Sequence, residues 1–438
     1  MTQNECTIEV FIEGTWRPAA TLTLNGPAEL GRHVPSMLIY LTDYALDHLG
    51  HRGAFALSAT TPVSLKVESW KTWPPFLVDL LPQGFGRQEL ATRLGIPPDS
   101  PSSDWPLLCH GAANPIGNLR IHEAALDLGK KTTQSKGFSE QEISERSENF
   151  IEYLASEGLY IAGSSGVQGE WPKVLLTQDA SGVWHLDHLL PDAAAVRHCL
   201  VKFVKNEKPV FEEILQLERV YYELARHLGL FVHAKALSFI GKALFIDRFD
   251  RRWANNRLER VGQESLFSLL SKIGFNDAVT HNDACIAIAQ HSSAPLEDVI
   301  EYVLRDVANV ALGNRDNHGR NTAFQRFEDG TVRISPLYDF APMFLHPDGI
   351  ARRIRWRDND GGAPEWTKVA MQAAETLKDS PIAEILEALT NFAPKLAQLP
   401  QMLTDYGVSD DIRRRLEPGI LANLVKLHAC AKREDQNG

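Results

Sequence analysis

The sequence predicts an α+β fold, β-rich toward its start and largely helical toward its end. Three patterns carry that reading. Residues 7–25 alternate apolar and polar as strands do, short strand-like runs surround one clear helix between 158 and 250, and helical periodicity dominates beyond residue 264. At 438 residues the chain exceeds the usual single-domain range, so two or three domains with sizeable cores are expected.

Taken in order, residues 7–25 read as strands with Glu13-Gly14 as a turn, and Pro74-Pro75-Phe76 to Leu81-Pro82 marks a loop leading into a short helix. The polar stretch Gly129 to Gly137 has the composition of an exposed linker, and Ser139 with Gln141 and Glu142 marks a helix start. Ile214 to Leu228 has helical spacing and meets a stop at Gly229. Later helices follow from Leu266-Phe267-Leu269-Leu270, Ile300-Val303-Leu304-Val307 and Ile382-Ile385-Leu386-Leu389, and a last one from Ile412 to Cys430. The division expected is a small β-rich unit at 1–128, a linker at 129–147, a mixed unit at 148–253 and a helical unit at 254–438.

Composition, with 44% hydrophobic and 23% charged residues, is that of an ordinary soluble globular protein. No apolar run approaches a membrane span, and the start Met1 to Cys6 lacks the basic and apolar regions of a signal peptide, so a cytoplasmic protein without membrane contact is expected. Cys6, Cys109, Cys199, Cys285 and Cys430 are scattered without metal or disulfide spacing. A net charge of −11 disfavours broad nonspecific binding to DNA or anionic membrane. The densest basic cluster, Arg352-Arg353, Arg355 and Arg357, suits an acidic substrate or a nucleic acid, or is simply an exposed stretch.

Chemistry concentrates in Gly313-Asn314-Arg315-Asp316-Asn317-His318-Gly319-Arg320-Asn321 and in Pro336-Leu337-Tyr338-Asp339-Phe340. An Asp, an Asn five positions on and a second Asp beyond a hairpin are the parts of a phosphoryl-transfer site: one base and two oxygen ligands for magnesium. Asp316 takes the role of base, Asn321 and Asp339 those of ligands, and His318 and Arg320 can face phosphates. Thr322 to Phe327 alternates, Glu328-Asp329-Gly330 supplies a turn and Thr331 to Ile334 runs back, so a hairpin returns Asp339 to Asn321. Two other readings stand beside this one. Asp316 and Asp339 can cap turns or helices, and Asp316, His318, Asn321 and Asp339 are also the residue types of a metal-dependent nuclease.

Upstream lies a second set. The Gly/Ser loop from Gly158 to Lys173, with Ser164, Ser165 and Gly166, lets backbone amides approach phosphates, although it matches neither the Walker A pattern nor the Rossmann fingerprint. In Cys199-Leu200-Val201-Lys202-Phe203-Val204, a Lys inside an apolar strand run is costly unless its ammonium meets an anion such as phosphate; the alternative is an edge-strand Lys reaching water. Glu218, among apolar neighbours on the helix, can pair with Lys202 as a helix Glu does in protein kinases, or stand on a solvated face.

In these motifs the chain resembles the HipA family of toxin kinases, the kinase half of a type II toxin–antitoxin pair. The resemblance runs through Leu81-Pro82-Gln83-Gly84, Pro115-Ile116-Gly117-Asn118, the Gly/Ser loop, Leu200-Val201-Lys202, Glu218, Leu228-Gly229-Leu230, Asp247-Arg248-Phe249-Asp250-Arg251, Gly313 to Asn321 and Pro336 to Asp339. It implies a protein-kinase-like two-lobed fold with a small N-terminal β-rich subdomain and a helical C-terminal lobe. It also implies ATP and magnesium as cofactors, with Asp316 as general base, Asn321 and Asp339 on magnesium, and Lys202 on the ATP phosphates. Ser164, Ser165, Gly166, Glu218 and His318 complete the expected ATP site, with Asp247 to Phe249 at the hinge that receives adenine and Tyr338 packing near the nucleotide. The family's loop carries a Ser-x-x-Gly-x-Gln-x-Lys type motif whose Ser, once phosphorylated, switches the kinase off. Here that position falls on Gly163 or Gly166 according to the anchor chosen, and Ser164 or Ser165 is the candidate for autophosphorylation.

The implied activity is transfer of the ATP γ-phosphoryl to a Ser or Thr of a protein of translation, an aminoacyl-tRNA synthetase in the best-known members. The implied partner is a helix-turn-helix antitoxin that brings the chain to DNA indirectly. The rival class is an inactive HipA-like binding protein that acts with the antitoxin as corepressor, for which the altered Gly/Ser loop is the distinguishing feature.

Overall fold

The computed structural model describes residues 4–131, 135–157, 171–204, 208–254, 256–274, 277–358 and 361–437. The backbone divides into a first unit of residues 1–205, 237–275 and 324–332, and a second of residues 206–236, 276–323 and 333–438.

The first unit is built on antiparallel sheets. Strands β1 (Glu5–Ile12) and β2 (Thr15–Leu24) are joined by Glu13 and Gly14 at φ 51° and 81°, the left-handed pair that a tight hairpin turn requires. With β3 (Ser36–Tyr40), β4 (Glu68–Trp70) and β5 (Leu119–Ile121) they form a sheet of order β4-β3-β2-β1-β5. A second sheet comprises β6 (Lys173–Asp179), β7 (Trp184–Leu186), β8 (Ala195–Phe203), β9 (Ser238–Ile240) and β10 (Ala243–Asp247), in the order β7-β6-β8-β10-β9. One apolar core joins both sheets: Ile8, Leu22 and Trp73 share it with Trp184, Val201 and Phe245. The stretch 129–147, which composition reads as a linker, takes up helix at both ends. The helix His122–Lys131 runs into it, and Ser139 caps Glu140–Ser144, its own amide donating to the Glu142 carboxylate at 2.8 Å.

The second unit is mainly helical, with Pro209–Leu228, His281–His291, Pro295–Ala311, Trp366–Ala374, Ile382–Leu396 and Asp410–Asn437 as its longer helices. Pro209 opens the first of these, where its missing amide costs nothing. Gly229 closes it at φ 82°, and the Leu230 amide donates to Ala225 O at 3.0 Å in a left-handed cap. The expected stop is therefore real, and this helix belongs to the second unit. β11 (Ala323–Arg326) and β12 (Val332–Ile334) form the expected hairpin, closed by Phe327 N to Thr331 O at 2.9 Å and Ser335 N to Ala323 O at 2.8 Å. Among the described residues no helix is long and apolar enough to cross a membrane, and all five cysteines are buried with free thiols.

Candidate active site

The loop carrying Asp316 leaves the helix Pro295–Ala311 under tight restraint. Tyr221 Oη donates to Leu312 O at 2.7 Å, and Gly313 turns the chain at φ 67°. Asn314 Nδ2 donates back to Asn309 Oδ1 at 2.8 Å, both side chains being buried. Asn321 Nδ2 donates to the Asp316 carbonyl at 2.7 Å, and the Asn321 amide to His318 O at 2.8 Å. His318 Nδ1 accepts from the Arg320 amide at 3.2 Å, while Tyr338 Oη donates to Arg320 O at 2.6 Å. Short-range polar sequence thus becomes a loop of fixed shape, because its polar side chains satisfy its own backbone.

Asp339 is placed by a separate device. Arg305, buried on the same helix, donates through Nη2 to Ser335 O at 2.8 Å and to Phe231 O at 3.3 Å, and Leu337 N donates to Phe231 O at 2.7 Å. Two residues on, Asp339 adopts φ 52°, a conformation non-glycine residues rarely take and one that clusters at functional sites. Asn321, Tyr338 and Asp339 line one small cavity with Tyr302, Arg305 and Asn309. Asp316 and His318 are half-buried on the same loop but do not line it.

Glu218 is not on a solvated face: it is buried on the helix Pro209–Leu228. The Tyr222 phenol one turn on is held well above its usual range, first by burial and then by the charges of Glu218 and Asp339. Those two carboxylates therefore act on one point in the second unit.

The donor set around Asp339 fits magnesium. With its Nδ2 committed to Asp316 O, Asn321 has its amide oxygen left for a cation, and Asp339 supplies a carboxylate to the same cavity. Among the described residues no three His, Cys, Asp or Glu side chains gather into a cage. Magnesium needs only one or two protein oxygens when phosphates and water complete its octahedron.

In the first unit, Lys202 lies on β8 between β6 and β10, so it is not an edge-strand lysine; it is 5% exposed. Lys173 stands directly opposite it on β6 and is also buried. Like charges facing each other across a sheet are unfavourable, and an anion such as phosphate relieves the repulsion. Lys173 was legible only as the end of the Gly/Ser loop. Ser164, Ser165 and Gly166 fall outside the described residues.

Asp247, at the end of β10, accepts from Arg197 Nε at 2.6 Å and from the Cys199 thiol at 3.3 Å, so its carboxylate holds the strand end. Phe249 is half-buried, its carbonyl taken by Gln325 Nε2 at 3.0 Å. The charged residues around it turn inward. Arg248 bridges Asp250 (2.7 Å) and Asp187 (2.9 Å), Arg251 donates to Asp250 at 2.7 Å, and the Gly117 amide donates to Asp250 at 2.7 Å. The Asp247 to Arg251 and Pro115 to Asn118 motifs are thus two halves of one buried bolt. Sequence reasoning missed this, together with Arg305 and Asn309, because a helix pattern gives no sign of which buried polar group serves a distant loop.

Comparison with known proteins agrees with this architecture. The chain is 24% identical over 356 residues to "Putative kinase Y4mE" of Sinorhizobium fredii, covering 75% of this chain and 80% of that protein. It is 26% identical over 156 residues to a "Putative kinase" of Haemophilus influenzae, covering 32% of this chain and 46% of that one. Its fold matches the Shewanella oneidensis MR-1 structure described as the toxin–antitoxin system HipA, HipB and operator DNA complex. That match has a TM-score of 0.66 and 18% identity, and covers 97% of each chain. The HipA N-terminal domain model matches residues 31–122 and the HipA-like C-terminal domain model residues 165–396, and on that match the chain belongs to the HipA family.

Proposed function

We propose that this chain is an ATP- and magnesium-dependent Ser/Thr protein kinase with a two-lobed kinase-like fold, acting in the cytoplasm as the toxin of a type II toxin–antitoxin pair. The observation that carries the reading is the Asn321 amide tied to the backbone of Asp316 while Asn321 and Asp339 share one cavity. In this reading Asp316 accepts the proton of the acceptor hydroxyl as its oxygen bonds to the γ-phosphorus, and the bond from that phosphorus to the β–γ bridging oxygen breaks to release ADP. Asn321 Oδ1 and the Asp339 carboxylate hold magnesium, which when bound offsets charge on the transferred phosphoryl. Lys202, with Lys173 opposite, takes the phosphates. Asp247 to Phe249 provide the adenine hinge and Tyr338 packs near the nucleotide, while Glu218 and His318 complete the ATP site.

The proposed acceptor is a protein of translation, and the proposed partner is a helix-turn-helix antitoxin. The Shewanella HipA structure with HipB and operator DNA supports the latter. The test is incubation of the purified chain with magnesium, γ-labelled ATP and a cell lysate, with Asp316→Asn in parallel. Label on a protein band that vanishes in the variant is expected. Equal labelling by both proteins would show that Asp316 is not the base.

A further inference from the structure

Beside the Asp316 loop the second unit carries an open groove of about 660 Å³, whose lining includes Arg315, Arg352, Arg355, Arg414 and Arg415 and no acidic side chain. In a chain of net charge −11 this is a concentrated reversal of sign. Arg352 is committed to Asp306 at 2.7 Å. Arg415 lies 4.0 Å from Asp411 and packs over the Phe344 ring. Arg315, Arg355 and Arg414 are exposed, and among the described residues none of them has a carboxylate partner. Three guanidinium groups without a carboxylate partner therefore line one concavity, Arg414 spending only its Nε on the Asp410 carbonyl at 3.3 Å.

The groove is also held in shape. Arg355 stands between buried Ile354 and Trp356; its carbonyl accepts from the His281 amide at 3.0 Å, and Trp356 Nε1 donates to Asp306 at 2.9 Å. Arg414 and Arg415 project from the helix Asp410–Asn437. Its position points to a purpose. Asn309 and Asn314, hydrogen-bonded to each other, line both this groove and the cavity of Asp339, so the pair forms a wall common to the two. Arg315 of the groove directly precedes Asp316.

Resting on the kinase reading above, we infer that the groove selects the phosphate acceptor by holding an acidic segment of the acceptor protein, Asp, Glu or phosphorylated residues close in sequence to the Ser or Thr that meets Asp316. Guanidinium groups bind carboxylate and phosphate through paired N–H donors, which suits both forms of that segment. A duplex nucleic acid would need cations spread along a surface to meet successive phosphates, and here the three arginines without a carboxylate partner line one concavity.

The test is fluorescence anisotropy of the full chain, without ATP, with a labelled peptide carrying Ser among glutamates and its counterpart with glutamines. The Glu peptide is expected to bind about 10-fold tighter and to lose that margin in Arg355→Gln/Arg414→Gln, since two exposed charge contacts account for a change of that size. Asp316→Asn should bind as the parent does. With magnesium and ATP, the double variant should raise KM for the Glu peptide while leaving its kcat and the Gln peptide unchanged. Equal binding of the two peptides, an unaltered double variant, or displacement of the Glu peptide by a lower concentration of random-sequence DNA duplex would each overturn the inference. Charge-selective binding that the double variant loses, in a chain that transfers no phosphate to any peptide, would support the groove and refute the kinase reading.

Discussion

The side-chain amide of Asn321 donates to the backbone carbonyl of Asp316 across 2.7 Å, so one residue both shapes the loop of the proposed base and presents its remaining oxygen to the proposed metal. Asn321→Ala removes both functions and Asp316→Asn removes only the base. Phosphoryl transfer is expected to fall about 100-fold or more in each, the scale of a lost general base or electrostatic group. Only Asn321→Ala should also lower stability, by about 1 kcal/mol for the lost hydrogen bond. Initial rates with labelled ATP and urea unfolding of both variants separate the two effects.

Gly313 turns the chain out of the helix at φ 67°, and a Cβ there would stand 2.9 Å from the Phe344 ring. Gly313→Ala therefore meets an unfavourable backbone conformation and a clash together. A loss of about 1–3 kcal/mol is expected, because left-handed strain and overpacking each cost on that scale. Urea unfolding measures it, and a variant as stable as the parent would show that the loop shifts freely.

Asp250 gathers Arg248, Arg251 and the Gly117 amide in a site closed to water. Burial alone would raise its carboxyl, yet Arg248 and Arg251 hold it well below the usual range. Asp250→Ala leaves Arg248 with Asp187 alone and takes from Arg251 its nearest carboxylate, Asp187 standing 4.0 Å away, and should cost about 3 kcal/mol. Because the folded state binds the proton more weakly than the unfolded one, this contribution is whole above about pH 4 and declines as pH falls further. Unfolding curves at pH 7, 5, 4 and 3 test both parts, and an Asp250→Ala chain of parental stability at pH 7 would contradict the assignment.

Much of this was legible in the sequence where local chemistry decides the outcome. The Glu13-Gly14 turn, the Gly229 helix stop and the Ala323 to Ile334 hairpin each follow from residues that permit few other conformations. The spacing of Asp316, Asn321 and Asp339 likewise anticipated that Asn321 and Asp339 meet in one cavity, because a hairpin of fixed length brings them there. Long-range polar partners were not legible. Nothing in Asp247 to Arg251 says that Asp250 reaches Gly117, 133 positions away, or that Arg305 holds the strand before Asp339. Glu218 and Lys202 were each ambiguous between buried and exposed readings, and burial was decided by packing partners far off in the chain.

Burial lowers the His188 imidazole from 6.5 to about 4 against the opposing charge of Asp187, and its Nε2 has no hydrogen-bond partner among the described residues. The folded chain keeps this ring neutral where the unfolded chain protonates it. Stability should therefore fall as pH drops from 6.5 toward 4, by up to about 1.4 kcal/mol per pH unit for the one proton taken up on unfolding. His188→Gln should flatten that part of the profile whatever it does to stability at pH 8. An identical slope in the variant, measured by urea unfolding, would assign the effect to other groups.

Arg305 is the residue on which the placement of Asp339 depends. Its Nε donates to Glu301 at 2.6 Å while Nη2 reaches the carbonyls of Ser335 and Phe231, so one planar fork ties a helix to two loop segments. Lysine keeps the charge but cannot span those three acceptors. Arg305→Lys gives up at least one of these hydrogen bonds, and a loss of about 0.5–1.5 kcal/mol is expected on that ground. The strand before Asp339 then loosens while its carboxylate remains. If Arg305 acts by positioning, the variant should need more magnesium for half-maximal transfer and recover most of its kcat at saturating magnesium. Asp339→Asn provides the contrast: asparagine tolerates the left-handed backbone, so the fold should persist, and no magnesium concentration should restore activity. A magnesium titration of both variants decides between positioning and mere stability, because a purely structural role for Arg305 would leave the titration midpoint where it is in the parent chain.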